Sequence, residues 1–292
     1  MKITITGSIG NIGKPLAKQL IEAGHELTII SSSEDRKKEI TDLGATAAIG
    51  SVNDQAFLTK AFAGADAVYS MTPPNMGGQN VVVNTSEAGK ALAAAVQESK
   101  VKRVVMLSSI GAELESATGP IAGLHPIEQY FNTLEGVAVT ILRAGYFYTN
   151  FYNDVPLIKG MGIMGSNFSA DTLLPLAHPK DIADAIAREL QATATSKDLQ
   201  YVISDYRGAA DVASAIGTAI GKPELPWIEF TDQQASEGMT QAGLPAEIAA
   251  LYVEMGNALA AGKLQKDFLA AGAPVNGNIR LEDFAKEFAA KF

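Results

Sequence analysis

The chain opens on a short alternation of β-branched and polar positions, ITIT (3–6), then three glycines, Gly7, Gly10 and Gly13, then an apolar periodicity of helical spacing from Pro15. This pattern predicts a strand, a turn almost bare of side chains, and a helix. HELTII (25–30) predicts a second strand entered through Gly24, and 34–43 a charged helix closed by Gly44, which suits the position just past a helix. TAAIG (46–50) predicts a third strand, and Asp54 an N-cap for a helix running to about Ala63. ADAVYSM (65–71), RVVMLSS (103–109) and VAVTILR (137–143) predict strands four to six, separated by an Ala-rich helix over 80–99 and a helix over 125–135. Near-continuous apolar strands alternating with helices describe a parallel sheet covered on both faces. Right-handed crossovers make such a sheet doubly wound, with ligands at the carboxyl ends of its strands.

After residue 144 the rhythm changes. The Gly/Met-rich stretch 160–165 reads as a loop, followed by a strand at 172–177, a helix at 179–191, a strand at 199–203, a helix at 211–220 and a short strand at 226–230. Helices dominate from 232 onward. The chain shows no internal repeat and no long linker. The expected organisation is a dinucleotide-binding domain over 1–150 and a smaller, mainly helical substrate-side region over 151–292, some of whose elements return to the sheet.

Composition narrows the chemistry. The 292 residues are 47% hydrophobic, ordinary for a globular protein with a substantial core. No run reaches the roughly 18 apolar residues of a membrane span. Zero cysteines exclude disulfides, thiolate metal sites and a cysteine nucleophile, and three scattered histidines argue against a metal centre. The chain goes straight into a strand, so no signal peptide is expected and the cytoplasm is the expected compartment. The net charge is −9, with 12 basic and 14 acidic residues up to position 150 and 11 and 18 beyond it. Without a basic block, phosphate backbones would repel such a chain, so direct nucleic-acid binding is not expected.

The glycine turn carries the clearest chemistry. A helix N-terminus fed through glycines offers free N–H groups and a positive dipole to an anion. In a dinucleotide site the first glycine makes the turn, the second lets the pyrophosphate approach, and the third lets helix and strand pack. The expected cofactor-binding set there is Gly7, Ser8, Gly10, Asn11, Ile12 and Gly13. After the second strand, an acidic residue would bind the ribose hydroxyls of NAD. Here Ser31 stands in its place, with Arg36 and Lys37 one turn on, which suits the 2′-phosphate of NADP(H). NADP(H) is therefore favoured, with NAD(H) possible, because Glu34 and Asp35 blur the local charge. Ser51 after the third strand, Met71, Thr72 and Pro73 in the MTPPN turn (71–75), and Ser108 at the end of the fifth strand complete the expected lining.

Taken together, the glycine pattern at 7–13, VVMLSSIGA (104–112), HPIEQYF (125–131), TILRAGYFYTNF (140–151), HPKDIADAIAREL (178–190) and the tail GLPAEIAALYVEMGNALAAGKL (243–264) resemble the NmrA-like branch of the atypical short-chain dehydrogenase/reductases. The resemblance implies an α/β, doubly wound parallel-sheet Rossmann fold. It implies that the backbone of 143–150 holds the nicotinamide carboxamide, with Tyr146 and Phe147 at the cofactor, and that Tyr146, Phe147 and Asn150 face substrate; the aromatics could equally form a lid's own small core. Members of the branch include NADPH-dependent quinone and dye reductases, and proteins that only bind the dinucleotide and report to partners.

The wider superfamily protonates its product with a tyrosine backed by a lysine four residues later. None of the eight tyrosines here has one: four positions on from Tyr69, Tyr130, Tyr146, Tyr148, Tyr152, Tyr201, Tyr206 and Tyr252 stand Pro73, Leu134, Asn150, Tyr152, Pro156, Asp205, Ala210 and Gly256. In the corresponding helix His125 and Glu128 share a face, and His125 could supply a proton. Equally, His125 could pack at the helix start while Glu128 ties down a strand. Ser109, His125 and Tyr146 are the candidate catalytic groups, none expected to be essential, and Trp227 reads as core. The expected function is reduction of a small-molecule electron acceptor of quinone-like, conjugated type, whose delocalised product needs little acid help. The alternative is a non-catalytic redox sensor working through a protein partner. Monomer and homodimer both remain open.

Overall fold

A computed structural model describes residues 1–73 and 78–292. The strand and helix alternation of the first half is β1 (Lys2–Ile5), α1 (Gly13–Glu22), β2 (Glu26–Ser31), α2 (Arg36–Asp42), β3 (Thr46–Ile49), α3 (Gln55–Phe62), β4 (Ala67–Ser70), α4 (Val81–Ser99), β5 (Arg103–Ser109), α5 (Leu124–Thr133) and β6 (Ala138–Ala144). These six strands and β10 (Asp198–Val202) form one parallel sheet in the order β10-β6-β5-β4-β1-β2-β3. Strand order reverses between β1 and β4, which opens a crevice at their carboxyl ends.

Both faces of the sheet are covered, which is why its strands read as continuous apolar runs. Leu16, Ala17 and Leu20 of α1 and Ile182, Ile186 and Leu190 of α7 (Pro179–Gln191) pack with Ile3, Ile5, Val105 and Leu142 on one face. Phe62, Leu92, Val96, Ile127 and Phe131 from α3, α4 and α5 pack with Val68, Val104 and Val139 on the other. Asp54 caps α3 as the sequence implies, its carboxylate accepting the Phe57 N–H at 3.0 Å.

The rest of the chain is β7 (Tyr146–Phe147), a 3₁₀ turn (Tyr148–Asp154), α6 (Val155–Met161), β8 (Met164–Ser166), β9 (Leu173–Ala177), β11 (Asp205–Gly208), α8 (Ala209–Ala219), β12 (Trp227–Glu229), α9 (Asp232–Gln241), α10 (Ala246–Ala260), α11 (Lys266–Ala270) and α12 (Leu281–Ala289). A three-stranded sheet, β11-β9-β7, and the pair β12-β8 lie beside a third core built around Phe151, Phe268, Phe284 and Phe288. Among the described residues no helix is long and apolar enough to cross a membrane.

Two expectations are corrected. The first helix begins at Gly13, with Pro15 inside its first turn, where a missing N–H costs nothing. The stretch 160–165 is not a loop: it ends α6 at Met161 and begins β8 at Met164, which is fully buried. Gly165 lets the partner strand close in, because a Cβ there would collide with the Ile228 carbonyl oxygen. A three-residue strand is too short to show a period in sequence. Trp227 is half-buried, stacks on Phe168 at 5.3 Å and donates its Nε1–H to the Phe168 carbonyl at 3.0 Å.

Candidate functional site

The three glycines of the opening turn do different work. Gly7 has φ +84°, and Met71 fills the space beside it. At Gly13 a Cβ would collide with the Ser8 carbonyl oxygen, so that glycine serves packing of the turn onto α1. At Gly10 the nearest atom to an added Cβ would be the Gly7 carbonyl oxygen, 4.0 Å away. Among the described residues, nothing requires that position to be bare. Ser8 is held at φ +58°, unusual for a non-glycine residue, and its Oγ is buried without a hydrogen-bond partner. The first backbone bond of the turn into α1 runs from Lys14 N–H to Gly10 O at 3.0 Å, and the N–H groups of Asn11, Ile12 and Gly13 precede it. A clear approach at Gly10, an orphaned hydroxyl at Ser8 and a helix N-terminus fit a dinucleotide pyrophosphate.

At the end of β2, Ser31 is buried, and its Oγ accepts the Ser33 N–H at 3.2 Å in a local turn. Arg36 pairs with Glu39 at 3.2 Å, and Lys37 with Glu34 at 2.8 Å. Lys14, which sequence reading passed over, also pairs with Glu39, at 2.9 Å. Two cations from two elements therefore share one carboxylate, and the hydrogen bond from Lys14 holds Glu39 below the usual carboxylate range. Ser51 follows β3, exposed, its hydroxyl accepting the Asn53 N–H at 3.1 Å.

The crevice edge at β4 is fixed by Thr6. Its hydroxyl donates to Met71 O at 2.9 Å and accepts Met71 N–H at 2.7 Å, which ties the end of β4 to the end of β1. Thr72 is buried and Pro73 exposed; Pro74 and Asn75 of the MTPPN turn lie outside the described residues.

Of the two arrangements open to His125 and Glu128, the structure has the one in which His125 packs at the helix start and Glu128 ties down a neighbouring strand. His125 Nδ1 donates to the Ala112 carbonyl at 3.0 Å. Glu128, almost fully buried, grips Arg143 of β6 through two bonds of 3.0 and 2.7 Å and accepts the Ser108 hydroxyl at 2.6 Å. Ser108 is thus turned inward and does not present a free hydroxyl to the crevice, a correction to its expected cofactor contact. Ser109, next along β5 and facing the opposite side of the sheet, is half-buried. Arg143 also meets Asp267 of α11 at 2.6 Å and Glu113 at 3.2 Å, and Tyr201 of β10 donates to Asp267. Burial works against the Arg143 charge, but Glu128, Tyr201 and Glu113 outweigh it and raise its pKa. Burial pushes the Glu113 carboxyl above its ordinary range. One charge inside the apolar run VAVTILR was the sequence signal for this network. Its five partners are scattered from 108 to 267, and of these only Glu128, read as able to tie down a strand, gave any.

Beyond Arg143 the chain turns into β7, paired with β9. Tyr146 and Phe147 are half-buried there; Phe147 packs on the core shared by α1 and α7, and Tyr146 on Phe151, with ring centroids 5.4 Å apart. Burial, reinforced by the nearby Asp154 and Tyr252, pushes the Tyr146 phenol well above its ordinary range. Neither Asp154 nor Tyr252 was anticipated from sequence.

A parallel sheet with a crevice at its reversal point, a bare glycine turn and a helix N-terminus define a nucleotide-binding protein of the Rossmann type. Residues 7–150, nearly half of the chain, match the NAD(P)H-binding family. It is 29% identical over 171 residues to agroclavine dehydrogenase of Claviceps fusiformis; the alignment covers 57% of each chain, so this chain spans little more than half of that relative's length. Its fold follows that of an NADPH-dependent quinone oxidoreductase of Escherichia coli, solved with NADPH (TM-score 0.82, 18% identity, 98% of this chain and 99% of that one). It equally follows a triphenylmethane reductase of Citrobacter sp. solved with NADP(H) (TM-score 0.82, 18% identity, 98% and 99%).

Proposed function

We propose that this protein is an NAD(P)H-dependent oxidoreductase, using NADP(H) in preference to NAD(H), that reduces a quinone-like or otherwise conjugated small-molecule acceptor. The observation that carries the reading is the contrast within one crevice. The proposed phosphate end has the open approach at Gly10; the proposed acceptor end draws on Ser109, Tyr146, Phe147 and Asn150, with no lysine four residues after any tyrosine. When bound, the reduced nicotinamide supplies a hydride. The chain's own part is to hold the cofactor by backbone N–H groups and to keep the acceptor against it, within about 3.5 Å of the reacting carbon. Tyr146 keeps its proton at neutral pH, so it can orient an acceptor oxygen by hydrogen bonding.

The preference for NADP(H) rests on Lys14 and Arg36 converging on Glu39 beside the glycine turn, with a serine where an NAD site would place a carboxylate. A 2′-phosphate carries more charge than Glu39 and can draw both cations to itself. Family and fold likeness to reductases and dehydrogenases agrees with the activity. The test is steady-state oxidation of NADPH with a panel of quinones. Turnover with several of them is the expected result; tight NADPH binding without turnover would leave the sensor reading in its place.

A further inference from the structure

Two carboxylates of α10 hold backbone that belongs to the crevice. Glu247, in the first turn of the helix, accepts the Asn80 N–H at 2.9 Å and the Val81 N–H at 2.8 Å, where α4 begins. Glu254, two turns on, accepts the Gly119 N–H at 2.8 Å, at the start of a 3₁₀ helix (Gly119–Gly123) that leads into α5. Positions 247, 251, 254 and 255 share one face of α10. The contact is close, since a Cβ on Gly119 would collide with the Leu251 carbonyl oxygen and with Met255. Both held segments carry left-handed backbone outside glycine: Asn80 has φ +53° and Ala117 has φ +60°. Such conformations persist where the surroundings impose them, and here α10 is the neighbour that does so.

These segments lie on the two connections that leave the carboxyl ends of β4 and β5. The β4 connection starts against the glycine turn: Thr6 ties down Met71, and the Met71 side chain fills the space beside Gly7. Its other described end is Asn80, in the grip of Glu247. The β5 connection starts at Ser109 and passes Ala112, whose carbonyl accepts from His125. With the pyrophosphate at Gly10 and the adenosine ribose at the end of β2, a dinucleotide laid across the crevice puts its nicotinamide half over β4 and β5. We propose that α10 is a clamp on that half of the crevice, an inference that rests on the NADP(H)-dependent reading above. Glu247 and Glu254 are its positioning residues, which hold the two connections in the conformation that receives the nicotinamide end. Neither carboxylate needs to meet the cofactor. They set the fraction of molecules whose crevice is ready, and apparent affinity falls with that fraction. The coupling is reciprocal: bound NADPH must tighten the clamp by the factor by which the clamp tightens NADPH.

Hydrogen exchange followed by NMR reads the clamp in the wild-type protein. NADPH should slow exchange of the Asn80, Val81 and Gly119 amides by about tenfold, an ordinary size for such coupling. Adenosine 2′,5′-bisphosphate, which fills only the β2 side, should leave them as they are. Glu247→Ala should weaken NADPH by about the same factor in calorimetry and raise its KM in step, with kcat on menadione at saturating NADPH little changed. Affinity for adenosine 2′,5′-bisphosphate should be retained, which a general loosening of the fold would not allow. Glu247→Gln, whose amide oxygen still accepts one N–H, should recover part of the NADPH affinity. Asp211→Ala removes a carboxylate of the same kind from the start of α8, where it accepts the Gly208 N–H at 3.1 Å, and should move neither affinity. Exchange unmoved by NADPH overturns the proposal, even if Glu247→Ala misfolds. So does an equal loss of both ligands in Glu247→Ala. Menadione separates the two readings. Exchange that responds to NADPH without menadione turnover removes the reductase reading and leaves the clamp, whereas turnover with unmoved exchange removes the clamp alone.

Discussion

The two ends of the crevice are built from different materials. The phosphate end is made of backbone from one contiguous stretch, Gly7 to Gly13, with only the Ser8 hydroxyl offered from a side chain. The proposed far end draws instead on side chains from elements further apart in the chain: Ser109 of β5, Tyr146 of β7 and Asn150 of the turn after it. Behind it, Arg143 is locked by carboxylates from three separate segments. A backbone site tolerates almost any neighbouring side chain provided the glycines remain. A side-chain site depends on a buried frame, and damage to the frame should cost more than damage to the site.

The largest effect should come from that frame. Arg143→Ala leaves Glu128 buried and unpaired between β5, β6 and α5, and breaking a buried pair in this way costs about 3–5 kcal/mol. Urea unfolding should show that loss, together with weakened attachment of α11 through Asp267. A variant within 1 kcal/mol of wild type would mean that the network is ornamental, and the contrast between the two ends would fall.

Next come the glycines, where two substitutions three residues apart should part company. Gly13→Ala drives a methyl into the Ser8 carbonyl and should destabilise the fold by about 1–3 kcal/mol. Gly10→Val meets open space within the protein, so the fold should survive while NADPH affinity drops by at least about tenfold, or 1.4 kcal/mol. Thermal unfolding without cofactor and calorimetry with it separate the two outcomes. Unchanged NADPH binding by Gly10→Val would show that the turn holds something other than a pyrophosphate.

How far each end was legible in sequence follows from the same difference. The turn at 7–13, the six strands and α7 could be read from local pattern because period and glycine spacing are properties of neighbours in the chain. The segment 145–166 resisted such reading. β7 and β8 are two and three residues long, and a 3₁₀ turn carries no helical period over so few positions. Ser108 was misread because its partner Glu128 lies twenty residues away, and pairing across elements has no sequence signature. Lys14 was missed although it sits beside the glycines, since only the fold brings it to the Glu39 that Arg36 also holds.

A smaller effect is expected at the mouth of the phosphate end, where side chains read the ribose. Ser31→Asp places a carboxylate beside the 2′-phosphate and should move the NADPH-to-NADH affinity ratio toward NADH by about tenfold, 1.4 kcal/mol. Arg36→Ala and Lys14→Ala should each weaken NADPH more than NADH. Ratios unmoved by all three variants would place recognition of the phosphate elsewhere.

The smallest effects should come from the candidate acids at the far end. His125 Nδ1 donates to the Ala112 carbonyl, which holds the ring at the start of α5 and engages the proton on that nitrogen. Tyr146 holds its proton too tightly for rapid transfer at neutral pH, since burial and the nearby Asp154 both oppose the phenolate. Loss of a true general acid costs about 10²–10⁴-fold in rate. His125→Ala and Tyr146→Phe should therefore each lower kcat by less than about tenfold, 1.4 kcal/mol. Bulk should matter more than either: on the proposed reading Ser109 and Asn150 line the hydride path, so Ser109→Leu or Asn150→Leu should impair turnover and spare NADPH affinity. Turnover of one quinone by all four variants, with cofactor affinity measured apart, makes the comparison. A collapse confined to His125→Ala would make that ring the proton donor, and it would move the chemistry from the β7 side of the crevice to the start of α5.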